Sequence, residues 1–498
     1  MCSNYATSQT LYHEDSLRRR LSRVFTVDMS AFNVESHSID FIPPSERYGS
    51  VRSLFTVWFA ANMQITAVVT GALAVVIGLP LLWALLATVI GVGLGAIVMA
   101  LHSVQGPKLG IPQMIQSRAQ FGFHGAALPL VLVVLMYIGF FASSGVLGAQ
   151  ALSAWTGLAI VPSIIIVSLI CTVIAILGYR LIHILERFSS AIAAIGFIFL
   201  SVWLLQSPGM ATAWKPGSFS FGTFLLAVAI AATWEITYAP YVADYSRYLP
   251  RDTSSRATFW WTYAGSAIAA VWMFAFGAIA AALAVKAFDA NPVAFVIGLA
   301  PTGVQGLFYF IILLGVFAVN TLNLYGAFMS TTTTLSAIIR MKVGSRTRIA
   351  FVLGTAFIGT LIAVFGYGNF VENFTNFILF LAYFIIPWTA INLVDFYLVR
   401  KEHYDIASIF DPNGVYGKWN WRALTAYAVG ILIEIPFMST SFYTGPMVAP
   451  LGGADISWIL GLIVAGGVYW AFGPAIMRDE NAWFAAREAA CKPAVTNP

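Results

Sequence analysis

The chain has 498 residues, of which 59% are hydrophobic and only 9% are charged, and its formal net charge is +5. Soluble domains carry about 25% charged residues, so this composition excludes a soluble globular protein and indicates a chain that crosses a bilayer many times. The three scattered cysteines exclude both a disulfide framework and a cysteine metal site.

The chain begins with a polar segment that contains the arginine-rich stretch "RRRLSR" at residues 18–23. No short apolar segment with a small-residue cleavage site follows it, so no cleavable signal peptide is predicted. We predict that residues 1–52 form a cytoplasmic tail, and that residues 477–498 form a second one.

Between the tails the sequence predicts twelve membrane spans, because each segment offers about 20 mostly apolar residues. In order, spans 1 to 12 lie near residues 53–77, 80–102, 124–152, 160–179, 187–206, 219–243, 259–285, 304–330, 348–367, 373–398, 421–442 and 455–476. The loops between them are too short for a large soluble domain.

The basic residues test this count of spans. Of the 26 Lys and Arg residues, all except Lys215 and Lys286 fall on the side of the membrane that holds the N-terminus. Because basic loops stay in the cytoplasm, we predict that both termini are cytoplasmic in the plasma (inner) membrane. The positive charge therefore marks orientation, and no nucleic-acid partner is predicted.

Two spans carry signs of a break in the helix. Span 1 has Asn62, Gln64 and Thr66 at its middle, and span 6 contains Pro240, which removes a backbone hydrogen bond. A broken helix is tolerated at membrane depth only where it is buried in protein or lines a cavity.

The two breaks occupy matching positions if spans 1–5 (residues 53–206) and spans 6–10 (residues 219–398) are repeats. An odd number of spans in each repeat requires the second copy to be inverted. Paired breaks in inverted repeats indicate a substrate site near the middle of the membrane.

Three loop motifs then indicate a family. They are "IDFIPPSERYG" before span 1, "GPKLGIPQMIQSRAQFG" after span 2 and "PYVADYSRYLPRDT" after the break in span 6. From about Ile39 to the end of span 10, the chain resembles the nucleobase–cation symporter family, in its purine–cytosine permease branch.

The resemblance implies an all-α integral membrane protein with a five-plus-five inverted repeat of the leucine-transporter type. It also implies two extra C-terminal helices, at residues 421–476. The activity implied is import of a nucleobase or a related flat heterocycle by symport with H⁺ or Na⁺, without a cofactor.

Span 6 holds the first candidate binding residues. The resemblance places Trp234 where the family stacks a Trp on the substrate, although a Trp that merely packs is the alternative. A buried carboxylate such as Glu235 indicates a functional site by default. It would accept N–H bonds from the base or take up the coupled proton. The alternative is a structural bond to a neighbouring broken helix.

Spans 3 and 8 supply two further pairs. Phe140 and Ser144 stand where the family has a Trp and a carboxamide, and their spacing places them on one helix face. Phe140 can still stack, whereas helix packing remains an alternative for Ser144. Asn320 and Asn323 either form hydrogen bonds between helices or contact the edge of a base. The resemblance favours Asn323 as the substrate contact.

Span 1 offers Asn62 and Gln64, which either contact the substrate or cap the broken helix ends, and Gln64 matches a substrate contact of the family. The family's Na⁺ site would use the carbonyls of Ala60 and Met63 together with hydroxyls of span 8. The corresponding stretch, residues 315–319, has no hydroxyl. The buried acid of span 6 therefore favours H⁺ as the coupling ion.

The sequence thus predicts a secondary active transporter rather than an enzyme, because no cluster of His, Asp and Ser occurs at helical spacing. The substrate is cytosine or a purine, with allantoin, hydantoin, uracil or a vitamin-like heterocycle as alternatives. An amino-acid transporter of the same fold is more distant, since the break in span 1 lacks glycine. The predicted partners are this small molecule and the bilayer, and a homo-oligomer is left open.

Overall fold

The computed structural model describes residues 40–177, 179–214, 216–336 and 344–491. The predicted tails therefore lie partly outside the described residues, as does Lys215. Within these ranges the regular structure is helical, apart from one isolated bridge between Ser439 and Thr444.

The helices lie at the predicted spans. Spans 1 to 6 are Ser53–Asn62 with Ile65–Val76, Leu81–Ser103, Ala127–Thr156, Ile160–Leu177, Tyr179–Leu205, and Phe221–Ile236 with Val242–Ser246. Spans 7 to 12 are Ser255–Leu283, Gln305–Ser336, Ser345–Gly366, Phe370–Val394, Trp421–Glu434 and Ser457–Cys491. Short helices between them are Gln105–Leu109, Gln113–Phe121, Met210–Ala213, Val285–Ala290, Pro292–Gly298 and Ile406–Ile409.

Nine helical runs in the described ranges are long and apolar enough to cross a membrane, or ten if the bent pair of span 1 counts as one span. One of these runs, Arg346–Val399, contains the helices of both spans 9 and 10. The helix at span 11 has only 14 residues, about 21 Å, against a hydrocarbon core of about 30 Å. A helical, multi-pass membrane protein is confirmed, whereas the count of twelve spans stays a prediction.

The segment predicted as a cytoplasmic tail from residue 477 is helical as far as Cys491. The last helix continues without a break from Ser457 to Cys491. The stretch after residue 477 is rich in Ala, Glu and Arg, which are strong helix formers, and this composition accounts for the continuation.

The predicted break in span 1 is confirmed. Ser53–Asn62 and Ile65–Val76 meet at an angle of 62°. The turn arises at Met63, with φ −79° and ψ 59°, and at Gln64, whose backbone is extended with φ −143° and ψ 153°.

The interruption in span 6 is milder. A 3₁₀ turn at Ala239–Tyr241 separates Phe221–Ile236 from Val242–Ser246, and the two pieces continue as one run. Pro240 has no N–H, so it cannot supply the helical hydrogen bond to the carbonyl four residues earlier.

Each helix that follows a broken span packs against the other broken span. Span 2 packs along span 6, and span 7 packs along span 1. Glycines permit the close approach: a Cβ atom at Gly277 would lie 1.8 Å from the carbonyl oxygen of Val68, and one at Gly95 would lie 2.3 Å from that of Ala232. This reciprocal packing is consistent with the predicted inverted repeats and holds the two breaks side by side.

We predict that Gly277→Ala lowers the thermal stability of the protein, because the new methyl group cannot fit against Val68 unless spans 1 and 7 separate. Overpacking of this kind costs about 1–3 kcal/mol. The measurement is the melting temperature of the detergent-solubilised protein, followed by size-exclusion chromatography. Gly354→Ala is the matched control, since a Cβ there meets no atom within 4 Å. Equal melting temperatures for the two variants would contradict the packing argument.

Candidate functional site

A cavity of about 790 Å³ begins where the breaks of spans 1 and 6 meet. Spans 1, 3, 6 and 8 supply most of its walls. From the breaks the cavity extends toward the side that holds the segment before span 1, where Ile42, Tyr48 and Arg247 line it. This is the side on which the basic loops lie. Four predicted site residues with side chains suited to substrate contact line the cavity: Gln64, Phe140, Trp234 and Asn323.

Trp234 and Phe140 form an aromatic wall of the cavity. Their ring planes are perpendicular, with 5.9 Å between the ring centroids. Trp234 also packs edge-on against Phe274, at 5.8 Å, and only 2% of its surface is exposed. The indole therefore packs against rings on two other helices, spans 3 and 7.

Asn62 lies behind this wall, fully buried, and is not among the residues that line the cavity. Its Oδ1 accepts hydrogen bonds from Trp234 Nε1 (2.7 Å) and from the Tyr238 hydroxyl (3.3 Å). Its Nδ2 donates to the carbonyl of Trp58 (3.0 Å) and to Ser266 Oγ (3.1 Å). These four bonds use the full capacity of the amide, so a substrate contact would require breaking one of them.

Glu235 also points away from the cavity. Its Oε2 accepts a hydrogen bond of 2.6 Å from Ser266 Oγ, and its Oε1 has no hydrogen-bond partner among the described residues. On its other side the carboxylate-bearing side chain packs against Gly95, where an added Cβ would lie 2.8 Å from Glu235 Cβ. The structure thus places this acid between spans 2 and 7 and not on the cavity wall.

In each pair on spans 3 and 8, one residue lines the cavity, Phe140 or Asn323, and the other does not. Ser144 is buried and its hydroxyl lies 3.2 Å from that of Thr66, which ties span 3 to span 1. Asn320 is buried too and donates to the carbonyl of Phe141 (3.0 Å), which ties span 8 to span 3. Asn323 lines the cavity and donates to Asn320 Oδ1 (3.4 Å). Ser144 and Asn320 therefore join helices, and Asn323 remains available on the wall.

The break of span 1 supplies polar groups to the cavity. Gln64 Nε2 donates to the carbonyl of Ala61 (2.8 Å), so the side chain caps the first half of the span. Ala60 and Met63 line the cavity, and the carbonyl of Ala60 accepts the Met63 N–H (3.0 Å).

These two carbonyls are the groups of span 1 that were predicted for a Na⁺ site. Across the cavity from them, span 8 presents Gly315, Ala318 and Val319, which offer no side-chain oxygen. The described residues contain no group of three or more His, Cys, Asp or Glu that could hold a metal ion.

Sequence reasoning missed a group of aromatic side chains that line the cavity beyond the breaks. Trp58 lies 5.4 Å from Tyr238 and 5.2 Å from Tyr245, and Tyr137 lies 5.7 Å from Tyr241, measured between ring centroids. The signal was present, because span 6 carries tyrosines at intervals of three and four residues, which place them along one helix face.

The chain is similar in sequence to known permeases. The sequence profile of the family described as "Permease for cytosine/purines, uracil, thiamine, allantoin" matches residues 41–461. The chain is 47% identical over 441 residues to the putative purine-cytosine permease YxlA of Bacillus subtilis, covering 88% of this chain and 95% of that one. It is 27% identical to the purine-cytosine permease fcyB of Emericella nidulans, covering 94% and 92% of the two chains.

A solved structure shares the fold. Mhp1, a nucleobase-cation-symport-1 family transporter solved in a closed conformation with bromovinylhydantoin bound, superposes with a TM-score of 0.71 at 19% identity. The superposition covers 90% of this chain and 96% of that chain. The relatives are permeases and not enzymes. The chain therefore belongs to the nucleobase–cation symporter family, among the permeases for cytosine and purines, uracil, thiamine and allantoin.

Proposed function

We propose that the protein is a secondary active transporter that imports cytosine, a purine or a related flat N-heterocycle together with a cation. It works in the plasma (inner) membrane with both termini in the cytoplasm. Its five-plus-five inverted repeat, extended by two C-terminal helices, alternates access around the breaks of spans 1 and 6. The observation that carries the proposal is the cavity at these breaks, which combines an aromatic wall with side-chain amides.

The lining suits a flat, polar ring. Trp234 and Phe140 supply aromatic surface, and stacking on a nucleobase is worth about 1–3 kcal/mol per base. Gln64 and Asn323 supply carboxamides, which read donor and acceptor patterns on the edge of a base. The cavity volume of about 790 Å³ lies within the range of about 300–1,000 Å³ that is usual for small-molecule sites.

The same chemistry accepts other members of the substrate class. Allantoin, hydantoin, uracil and vitamin-like heterocycles are all flat and carry amide-type edges, so they remain alternatives. An amino acid is a poorer match, because the polar side chains at the break are amides and the acid behind them would repel a carboxylate.

We favour H⁺ over Na⁺ as the coupling ion. Glu235 is a fully buried carboxyl group with one oxygen that no described residue bonds, and a buried acid of this kind is a typical proton carrier in a membrane. Residues 315–319 of span 8, the stretch that would complete a Na⁺ site, offer no side-chain oxygen, which leaves the Na⁺ shell incomplete.

The substrate class is tested by a thermal-shift panel on the purified protein. Cytosine, adenine, hypoxanthine, uracil, allantoin, hydantoin and pyridoxine are compared with a set of amino acids, with pH and Na⁺ varied separately. We expect at least one heterocycle to raise the melting temperature and no amino acid to do so. A higher melting temperature with amino acids and with no heterocycle would contradict the proposal.

We predict that Trp234→Ala reduces heterocycle binding by at least tenfold, because it removes the stacking surface and one of the two donors to the Asn62 oxygen. Binding is measured by calorimetry with the most stabilising heterocycle of the panel. Trp272→Ala is the matched control, since Trp272 also donates its indole N–H to a side-chain oxygen, that of Ser201 at 3.1 Å, but lies outside the cavity lining. Unchanged affinity in Trp234→Ala would remove this residue from the site.

We predict that Glu235→Gln abolishes the acceleration of uptake by an inward proton gradient, since an amide cannot carry the proton. Uptake into proteoliposomes is measured in Na⁺-free buffer, with and without the gradient. Glu434→Gln is the control, because Glu434 is equally buried in a membrane helix and lies outside the cavity lining. Wild-type behaviour of Glu235→Gln, combined with a strict need for Na⁺, would overturn H⁺ coupling.

A further inference from the structure

A single hydroxyl group joins the buried acid to the wall of the cavity. Ser266 Oγ donates to Glu235 Oε2 (2.6 Å) and accepts from Asn62 Nδ2 (3.1 Å). Oδ1 of the same Asn62 amide accepts hydrogen bonds from Trp234 Nε1 (2.7 Å) and from the Tyr238 hydroxyl (3.3 Å). Ser266, Glu235 and Asn62 have no exposed surface, so water does not compete for these bonds.

We propose that Ser266 is a positioning residue that converts protonation of Glu235 into a change in the orientation of Trp234 at the substrate wall. The inference rests on the H⁺-coupled function proposed above and names the route by which that coupling reaches the cavity. Without such a route, an acid that does not line the cavity has no contact with the substrate.

The argument follows from the number of protons on a serine. A hydroxyl has one proton to donate, and Ser266 gives it to Glu235. The separation of 2.6 Å lies in the range of 2.5–2.7 Å that is typical of a hydroxyl bonded to a carboxylate anion. The oxygen of Ser266 is then turned toward the Asn62 amide, whose N–H it accepts.

Protonation reverses this arrangement. When a proton binds to Oε2, an O–H bond forms on Glu235, and this group now donates to Ser266. The serine must turn its own proton into one of its two other positions, and in the proposed step the proton takes the position that faces the Asn62 N–H. The amide of Asn62 is a rigid plane, so a displacement of Nδ2 also displaces Oδ1, and with it the hydrogen bonds that hold Trp234 and Tyr238.

The titratable surroundings of Glu235 are sparse. The residues that touch its side chain from spans 2 and 7, Gly95 and Ser266, do not titrate. Tyr238, on the same helix, interacts with it electrostatically. The second half of span 1, Ile65–Val76, contains no titratable residue.

The other helices packed against span 6 place their titratable groups further along their axes. On span 2, His102 follows Gly95 by seven residues, which is about 10 Å along a helix. On span 10, Glu372 lies in the first turn and Tyr383 is bonded to Asp455 (2.7 Å). Glu46 and Asp244 line the same cavity as Trp234, so the movement that Glu235→Gln abolishes is the part that originates at Glu235.

A merely structural role for Ser266 predicts a different result. If the hydroxyl only ties spans 1, 6 and 7 together, its removal lowers stability but leaves the pH response of Trp234 intact. If it transmits protonation, its removal uncouples Trp234 from pH even in a stable protein.

The experiment follows Trp234 directly and needs no substrate. The protein is labelled with 5-fluorotryptophan, the ¹⁹F resonance of Trp234 is assigned with Trp234→Phe, and its chemical shift is recorded as pH falls. We expect the wild-type resonance to move with pH, and Glu235→Gln to abolish the movement. Ser266→Ala should lose most of the movement, and Ser266→Thr, which keeps the hydroxyl, should restore it.

Thr262→Val is the matched control for Ser266→Ala. Thr262 precedes Ser266 by one turn of span 7, is fully buried and shares a hydrogen bond of 2.8 Å with Ser103 of span 2. This variant should titrate as the wild type does. Should Ser266→Ala fail to fold, Ser266→Cys keeps the volume with a weaker donor and should show a reduced movement.

Two outcomes would overturn the inference: a Trp234 resonance that titrates equally in Ser266→Ala, or one that does not titrate in the wild type. Either would leave H⁺ coupling standing if Glu235→Gln still abolishes proton-driven uptake. Loss of the coupling itself would instead appear in the uptake assay, so the two failures are distinguishable.

Discussion

Every other feature of the site depends on how the polar groups at the break in span 1 are hydrogen-bonded inside the membrane. Lipid offers no hydrogen bonds, so a helix that stops at membrane depth must find partners within the protein. Gln64 caps the carbonyl of Ala61, and the Asn62 amide ties the end of the first half-helix to spans 6 and 7 through Trp234, Tyr238 and Ser266. Asn62 therefore lies behind the cavity wall and positions Trp234, which lines it.

The close contacts between helices place this junction. Glycines let span 7 approach span 1 and span 2 approach span 6 until a side-chain atom would collide with a backbone carbonyl. The two breaks are consequently brought together, and the cavity begins where they meet. Aromatic side chains of spans 1, 3 and 6 continue the lining of the cavity toward the side on which the basic loops lie.

Much of this arrangement could be predicted from the sequence, and the limit has a physical origin. Apolar length predicts the helices, and Asn62, Gln64 and Pro240 predict where they break. The direction of each side chain around its helix is less accessible, since neighbours on a helix point about 100° apart. Trp234 lines the cavity, whereas Glu235, the next residue, faces spans 2 and 7. Only the packing of those spans decides which neighbour faces inward.

The bend of span 1 also has an electrical consequence. A helix carries a partial negative charge at its C-terminal end and a partial positive charge at its N-terminal end, each about half an elementary charge. At the break, the C-terminal end of Ser53–Asn62 and the N-terminal end of Ile65–Val76 meet beside Gln64. The cavity therefore contains two opposite partial charges a few residues apart. Such a field orients a neutral molecule that has a large dipole moment and lies across the break.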